Sequence, residues 1–240
     1  MTLTVETLRS EVRALYQNLG ANTMSDETLD RCIVGGLWRL SEDRPNELEY
    51  QLTGSGEQFN IGSLIATWVK DFSAVRQVWL PIPTTSLNNA QPLNDKQYRQ
   101  FPIGSTDYLY ISGGVGSGGA LVIYTTPWRI MAIDGAASTT VPEPLEMALI
   151  NICAAKAGLA MAARAAGSSD KSMPADFVNI GSTKSDQYRR VAREFEKDYL
   201  AALKLAHDRP KGIAVLRTYT RSNENEDPYL THRSFGGRQW

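Results

Sequence analysis

The sequence has few of the residues on which most metal sites and many nucleophilic active sites depend. It contains only two cysteines and two histidines in 240 residues. Cys32 and Cys153 lie far apart, each inside an apolar helical pattern, which predicts buried, reduced thiols and a cytoplasmic setting. This set supplies neither a zinc site nor a pair of cysteine and histidine for nucleophilic catalysis. We therefore expect no metal, no cofactor and no catalytic residue.

A strong charge of either sign is also missing, as are long apolar runs. The formal net charge is −1, so no polycationic surface is expected to hold nucleic acid tightly. No apolar run approaches the roughly 18 residues of a membrane span, and the N-terminus lacks the basic and then apolar order of a signal peptide. These absences predict a protein with no membrane contact and no export by the general route.

One glycine-rich stretch resembles a nucleotide-binding motif only superficially. GGVGSGG at 113–119 satisfies G-x-G-x-x-G, but the strand-like ALVIYTT follows it. A dinucleotide fingerprint needs a helix at that point, and a P-loop needs Lys followed by Ser or Thr. We interpret the glycines of residues 104–119 as a mobile loop that forms the tip of a β-hairpin.

Apolar residues at helical spacing predict an N-terminal helix pair. The first helix spans residues 3–19 and ends at Gly20, and the second is capped by Ser25 and ends before Pro45. Their predicted buried positions are Leu3, Val5, Leu8, Val12, Leu15, Tyr16 and Leu19 in the first helix and Leu29, Ile33, Leu37 and Leu40 in the second.

Two further helices are predicted in the second half of the chain. One begins at Pro142 to Pro144, and the other begins at Ser182 and ends at Pro210. Their predicted apolar faces are Leu145, Leu149, Ile152, Lys156 and Leu159 in the third helix and Tyr188, Val191, Phe195, Tyr199 and Leu203 in the fourth.

Between the two helix pairs the pattern changes to short β-branched and aromatic runs. IATWV, VRQVWLPIP, DYLYIS and ALVIYTT indicate strands, and the lack of helix-length crossovers indicates antiparallel pairing. The predicted fold class is therefore α+β. It has a four-helix core at 1–45 and 141–209, a β-rich insertion at 46–140 that is an antiparallel sandwich or barrel, and an extended C-terminal tail at 210–240.

Two segments are candidates for contact with other molecules. The fourth helix carries Arg189, Arg190, Arg193 and Lys197 among acidic residues, which indicates a solvated surface, a seam against a neighbouring copy or a face towards phosphates. The tail carries apolar and aromatic residues, the type that anchors interfaces: Ile213, Val215, Tyr219, Tyr229, Phe235 and Trp240. Its stretch GIAVLRTYT could add a strand to a foreign sheet, or the tail could be disordered.

The order of these segments resembles the head-to-tail adaptor proteins of tailed bacteriophages, also called connector or neck proteins. The resemblance rests on FSAVRQVWLPI, EPLEMALINICAAKAGLA, SDQYRRVAREFEKDYLAAL and the extended tail. It implies a non-enzymatic virion protein that forms a ring, as a dodecamer, below the portal. Such a ring lines the DNA exit channel, lets double-stranded DNA pass and joins the capsid to the next neck or tail protein. The protein would be made in the host cytoplasm and end in the virion neck.

The resemblance also assigns roles to particular segments. Residues 145–166 and 183–208 would line the ring, and residues 213–240 would bind the portal, with the tail aromatics filling pockets. Another neck or tail-completion protein remains an alternative. A second alternative is a carbohydrate-binding module in the β-rich insertion that uses Trp68, Trp79 and Trp128 as stacking platforms.

Overall fold

The computed structural model describes residues 3–17, 24–82, 91–133, 135–167 and 184–208. Helices and antiparallel strands both contribute, as the sequence predicts. In chain order the elements are α1 (Val5–Leu15), α2 (Asp26–Asp43), β1 (Asn46–Leu52), β2 (Gly56–Phe59), α3 (Ile61–Leu64), β3 (Val75–Leu80), β4 (Gln91–Pro92), β5 (Tyr98–Ile103), β6 (Thr106–Val115), β7 (Ala120–Thr126), α4 (Glu143–Gly167) and α5 (Lys184–Asp208).

The first two helices begin at side-chain caps. Thr4 Oγ1 accepts a hydrogen bond from Thr7 N before α1, and the predicted cap Ser25 accepts one from Thr28 N before α2. The first predicted helix is present, but it ends earlier than predicted and Leu15 is not buried; the predicted positions Leu19 and Gly20 lie outside the described residues. The helix ends at Leu15, whose side chain is 41% exposed, because the chain turns at Tyr16 and buries that ring instead.

The two long helices α4 and α5 pack side by side. Gly158 of α4 faces Ala192 of α5 and the Tyr16 ring, so the helices approach closely where the side chains are smallest. Leu159 lies on the predicted apolar face but is 54% exposed, because the packed face of α4 at this level runs through Ala157 and Gly158. The predicted helix limits Ser182 and Pro210 lie outside the described residues.

The strands form two open antiparallel sheets. One has the order β1-β7-β3-β4 and the other the order β2-β6-β5, so the barrel alternative does not hold for the described strands. The stretch IATWV is not a strand. Asn60 Oδ1 accepts from Ser63 N at the start of the short helix α3, and the chain then turns, with Trp68 N donating to Ile65 O.

The glycine-rich stretch is more ordered than the sequence predicts. Gly113 and Gly114 lie within β6, and only the turn at 116–119 separates it from β7. Because β6 and β7 belong to different sheets, the turn is not the tip of a hairpin. Gly119 has φ +66°, and a β-carbon there would lie 3.0 Å from Leu52 O, so this turn requires glycine.

Buried apolar residues form two separate clusters. The first combines residues of α1, α2, α4 and α5 with Ile130, Ile133 and Val141. The second combines residues of both sheets with Ile61 and Ile65. The segment around Ile130 therefore packs with the helices, although it falls within the predicted insertion at 46–140.

Helix α4 is more apolar than the sequence reading assumed. Its Glu143–Ala166 portion is long and apolar enough to cross a membrane by length and composition alone, with a mean hydropathy of 1.5 over an 18-residue window. This helix therefore contradicts the prediction that no apolar run approaches the length of a membrane span. More than half of that 18-residue window, 56%, is buried inside the structure, so packing against other helices accounts for its composition.

Candidate functional site

The predicted basic residues of the fourth helix share the open side of α5. Arg189, Arg190, Arg193 and Lys197 are all exposed, whereas Ala192 and Tyr199 are buried on the packed side. Arg189, Arg193 and Lys197 follow one another at intervals of four residues and therefore lie along one face. Within the described parts of the chain, none of these four cations forms an ion pair.

Polar contacts hold α5 against the rest of the protein. Tyr199 Oη donates to Asp43 Oδ2 at 2.6 Å, and Arg39 of α2 forms an ion pair with the same oxygen, with Nε at 3.0 Å. Ser185 Oγ donates to Ala162 O at 3.0 Å near the start of the helix. Burial, followed by the hydrogen bond to Asp43, raises the pKa of Tyr199. The open side of α5 is thus presented by a helix that is anchored to both α2 and α4.

A small apolar groove lies on another side of α2. It has a volume of about 190 Å³, and its walls come from three segments. We call it the Trp38 groove, with walls that include Val34, Trp38, Val69, Trp128, Arg129 and Ile133. Trp38 is 44% exposed and meets Phe72 edge to face, with ring centroids 5.7 Å apart. An exposed tryptophan beside an arginine is typical of a protein interface.

Sequence reasoning did not identify Trp38. The residue lies next to Leu37 but outside the predicted buried stripe of the helix. The signal that could have identified it is a tryptophan on the polar side of an amphipathic helix.

The wall of the groove opposite Trp38 is fixed by hydrogen bonds. Trp128 N donates to Ser41 Oγ at 2.9 Å and Trp128 Nε1 donates to Arg44 O at 2.6 Å, so the ring is held against the end of α2.

The three tryptophans of the carbohydrate-binding alternative have different environments. Trp68 packs with the sheet cluster and its Nε1 donates to the buried Asp107 at 2.8 Å. Trp128 packs with the helix cluster, and Trp79 is half-buried in β3. Trp68 and Trp128 thus pack with different clusters, and both use their indole N–H groups in internal hydrogen bonds.

The thiols are free and buried, as predicted from their apolar surroundings. Burial raises the pKa of Cys153, and the neighbouring Cys32 thiol raises it further. In the part of the chain that the structure covers, no group of three or more His, Cys, Asp or Glu side chains could hold a metal ion. The proposed portal-binding positions Ile213, Val215, Tyr219, Tyr229, Phe235 and Trp240 lie outside the described residues.

No protein-family model matches the sequence, and no significant match to a curated protein is found. The resemblance to phage adaptors therefore depends on the order of the segments and on the residues quoted for it.

Proposed function

We propose that the protein is a structural component of a tailed-phage virion, of the head-to-tail adaptor kind. Copies would form a dodecameric ring below the portal, line the DNA exit channel and join the capsid to the next neck or tail protein. In this proposal α1, α2, α4 and α5 are the four-helix adaptor core, and the two sheets are an insertion carried on it. The separate hydrophobic clusters of helices and sheets support that division.

The observation that carries the proposal is that the protomer has two unlike open sides. One is the face of α5 with its cations, which have no ion-pair partner in the described residues, and the other is the Trp38 groove. A ring closes by heterologous contacts, in which one surface of each copy meets a different surface of the next. Two different unfilled surfaces on one protomer are what such a contact requires.

The charge of α5 suits a surface that DNA passes without being held. Its cations alternate with Glu194, Glu196 and Asp198, which are also exposed. Each cation that contacts a phosphate adds salt-dependent affinity, and neighbouring carboxylates reduce that gain. A ring of such helices would pass DNA and would not retain it.

The C-terminal tail is proposed as the portal anchor. Residues 213–240 contain apolar and aromatic side chains that the portal would receive in pockets, and the strand-like stretch GIAVLRTYT at 212–220 would add main-chain hydrogen bonds. The virion neck is the corresponding location.

Native mass spectrometry of the full-length chain, alone and mixed with the portal protein of the same phage, tests the proposal. We expect a ring that contains both proteins, and we expect a chain shortened to residues 1–209 to lose it. A variant with Phe235 and Trp240 both changed to alanine serves as a milder comparison, because it keeps the length of the tail. A full-length chain that remains monomeric and ignores the portal would refute the adaptor role.

A further inference from the structure

We infer that neighbouring copies of this chain join through the open face of α5 around Leu200 in one copy and the Trp38 groove in the next. The inference deepens the proposed function, because it rests on the formation of a ring and names the two surfaces that build it. It places the contact between copies on the part of the α5 face around Leu200, and the rest of that face remains open towards the proposed channel.

The two surfaces point away from each other within one protomer. Asp43 of α2 faces α5, since it accepts the hydrogen bond from Tyr199, whereas Trp38 contacts Phe72 on the other side. At about 100° per residue, Trp38 and Asp43 are separated by roughly 140° around the axis of α2. The α5 face of one copy therefore cannot reach its own groove, and a contact between them requires a second copy.

The apolar parts of the two surfaces are complementary. Leu200 is 48% exposed, although it lies on a helix whose open side is otherwise mainly charged. It follows Arg193 by seven residues and Glu196 by four, so all three lie on one face of α5. The Trp38 groove, at about 190 Å³, has room for one aliphatic side chain between its apolar walls. Burial of Leu200 against the groove walls would remove apolar surface of both copies from water.

The charges around the two surfaces are also complementary. Arg129 forms one wall of the groove and is exposed, while Lys70 and Asp71 are exposed beside Phe72. Glu196 can pair with a cation of this rim, and Arg193 can pair with Asp71 or lie over the Trp38 ring. None of these charged side chains has an ion-pair partner within the described ranges. This complementarity favours α5 of a second copy as the occupant of the groove.

Cysteine cross-linking of the full-length chain tests the contact. In the double variant Arg129→Cys/Leu200→Cys, each copy can link to two neighbours, so oxidation at raised concentration should give a ladder of covalent oligomers. A disulfide forms only where the two α-carbons come within about 7 Å. The native thiols do not interfere, because Cys32 and Cys153 are both buried. The matched control is Arg129→Cys/Leu159→Cys, since Leu159 is exposed to a similar extent but lies on α4.

A ladder with Leu200→Cys and none with Leu159→Cys supports the inference. No ladder, or equal ladders from both variants, overturns it. A ladder from Arg129→Cys/Trp240→Cys in place of the Leu200 pair would show that the C-terminal tail occupies the groove, and this also overturns it.

A charge exchange provides an independent check on the same contact. Glu196→Arg should weaken self-association on the order of tenfold, and adding Arg129→Glu should restore it. A double variant that associates no better than Glu196→Arg contradicts the pairing.

The portal experiment tests a separate claim. A chain that forms the ladder but does not bind the portal keeps this contact and loses the adaptor role. A chain that binds the portal without forming the ladder keeps the adaptor role and loses this contact.

Discussion

Replacing Gly158 with alanine tests how closely α1 and α5 approach α4. A β-carbon at this position would overlap Tyr16 Oη and would lie 3.2 Å from Tyr16 Cζ and 3.0 Å from Ala192 Cβ. Tyr16 is fully buried, and its hydroxyl donates to Ala154 O at 2.8 Å. The ring therefore cannot move aside without breaking that hydrogen bond and disturbing the core.

Three contributions determine the expected size of the effect. Overpacking of a buried site costs about 1–3 kcal/mol. Loss of the hydrogen bond from Tyr16 to Ala154 costs about 1 kcal/mol more. The higher helix propensity of alanine offsets about 1 kcal/mol of this loss. We expect Gly158→Ala to lower the free energy of unfolding by roughly 2 kcal/mol.

Urea unfolding of the full chain, followed by circular dichroism, measures this loss. Tyr16→Phe removes the overlapping oxygen, so the double variant should lose about 1 kcal/mol less than the sum of the two single variants. Gly35→Ala is the matched control, because its β-carbon would meet only the flexible Lys156 side chain, at 3.2 Å. We expect the control to be as stable as the original chain or slightly more stable. Additive losses, or no loss from Gly158→Ala, would refute the reasoning.

Three further predictions concern buried polar groups. Tyr199→Phe should lower the free energy of unfolding by about 1.5–3 kcal/mol, because it removes a hydrogen bond to the charged Asp43. A loss smaller than that caused by a control substitution at an exposed position would contradict this prediction. Burial raises the pKa of Tyr16 and Tyr199, so the folded state keeps protons that the unfolded state releases. Stability should therefore be full below about pH 10 and fall above it, less steeply in Tyr199→Phe, and urea midpoints across alkaline pH would test this. Trp68→Phe should cost about 1–3 kcal/mol in urea unfolding, because Asp107 loses the Nε1 donor; an unchanged midpoint would show that water replaces it.

Local signals predict where helices begin more reliably than which side of each is buried. Ser25 caps α2 by accepting a hydrogen bond within four residues, and α4 begins at Glu143, beside the prolines at 142 and 144. Leu15 and Leu159 also follow helical spacing, yet both are exposed. The side that is buried depends on neighbouring helices, and apolar spacing within one helix contains no information about them.

The sheets and the groove depend even more on distant parts of the chain. The sequence predicts that β6 and β7 are strands. Their membership of different sheets follows from pairing with β2 and β1, respectively, which the sequence does not show. The basic face of α5 could be predicted because its residues repeat every four positions in one helix. The Trp38 groove could not, because Val34, Val69 and Trp128 come from three segments that only the folded chain brings together.

Ser41 connects the stability of the fold to the shape of the groove. Its hydroxyl donates to Leu37 O at 2.6 Å and accepts from Trp128 N at 2.9 Å, so it fixes the Trp128 wall relative to α2. Ser41→Ala leaves the Trp128 N–H without this acceptor and should cost about 1–3 kcal/mol. If copies dock into a preformed groove, the same change should also weaken the cross-linked ladder, because a loosened wall must be ordered again on binding. Tyr16→Phe is the control away from the groove, because it removes another buried hydrogen bond, from Tyr16 Oη to Ala154 O. Equal weakening of the ladder by both variants would mean that global stability, and not the shape of the groove, governs association.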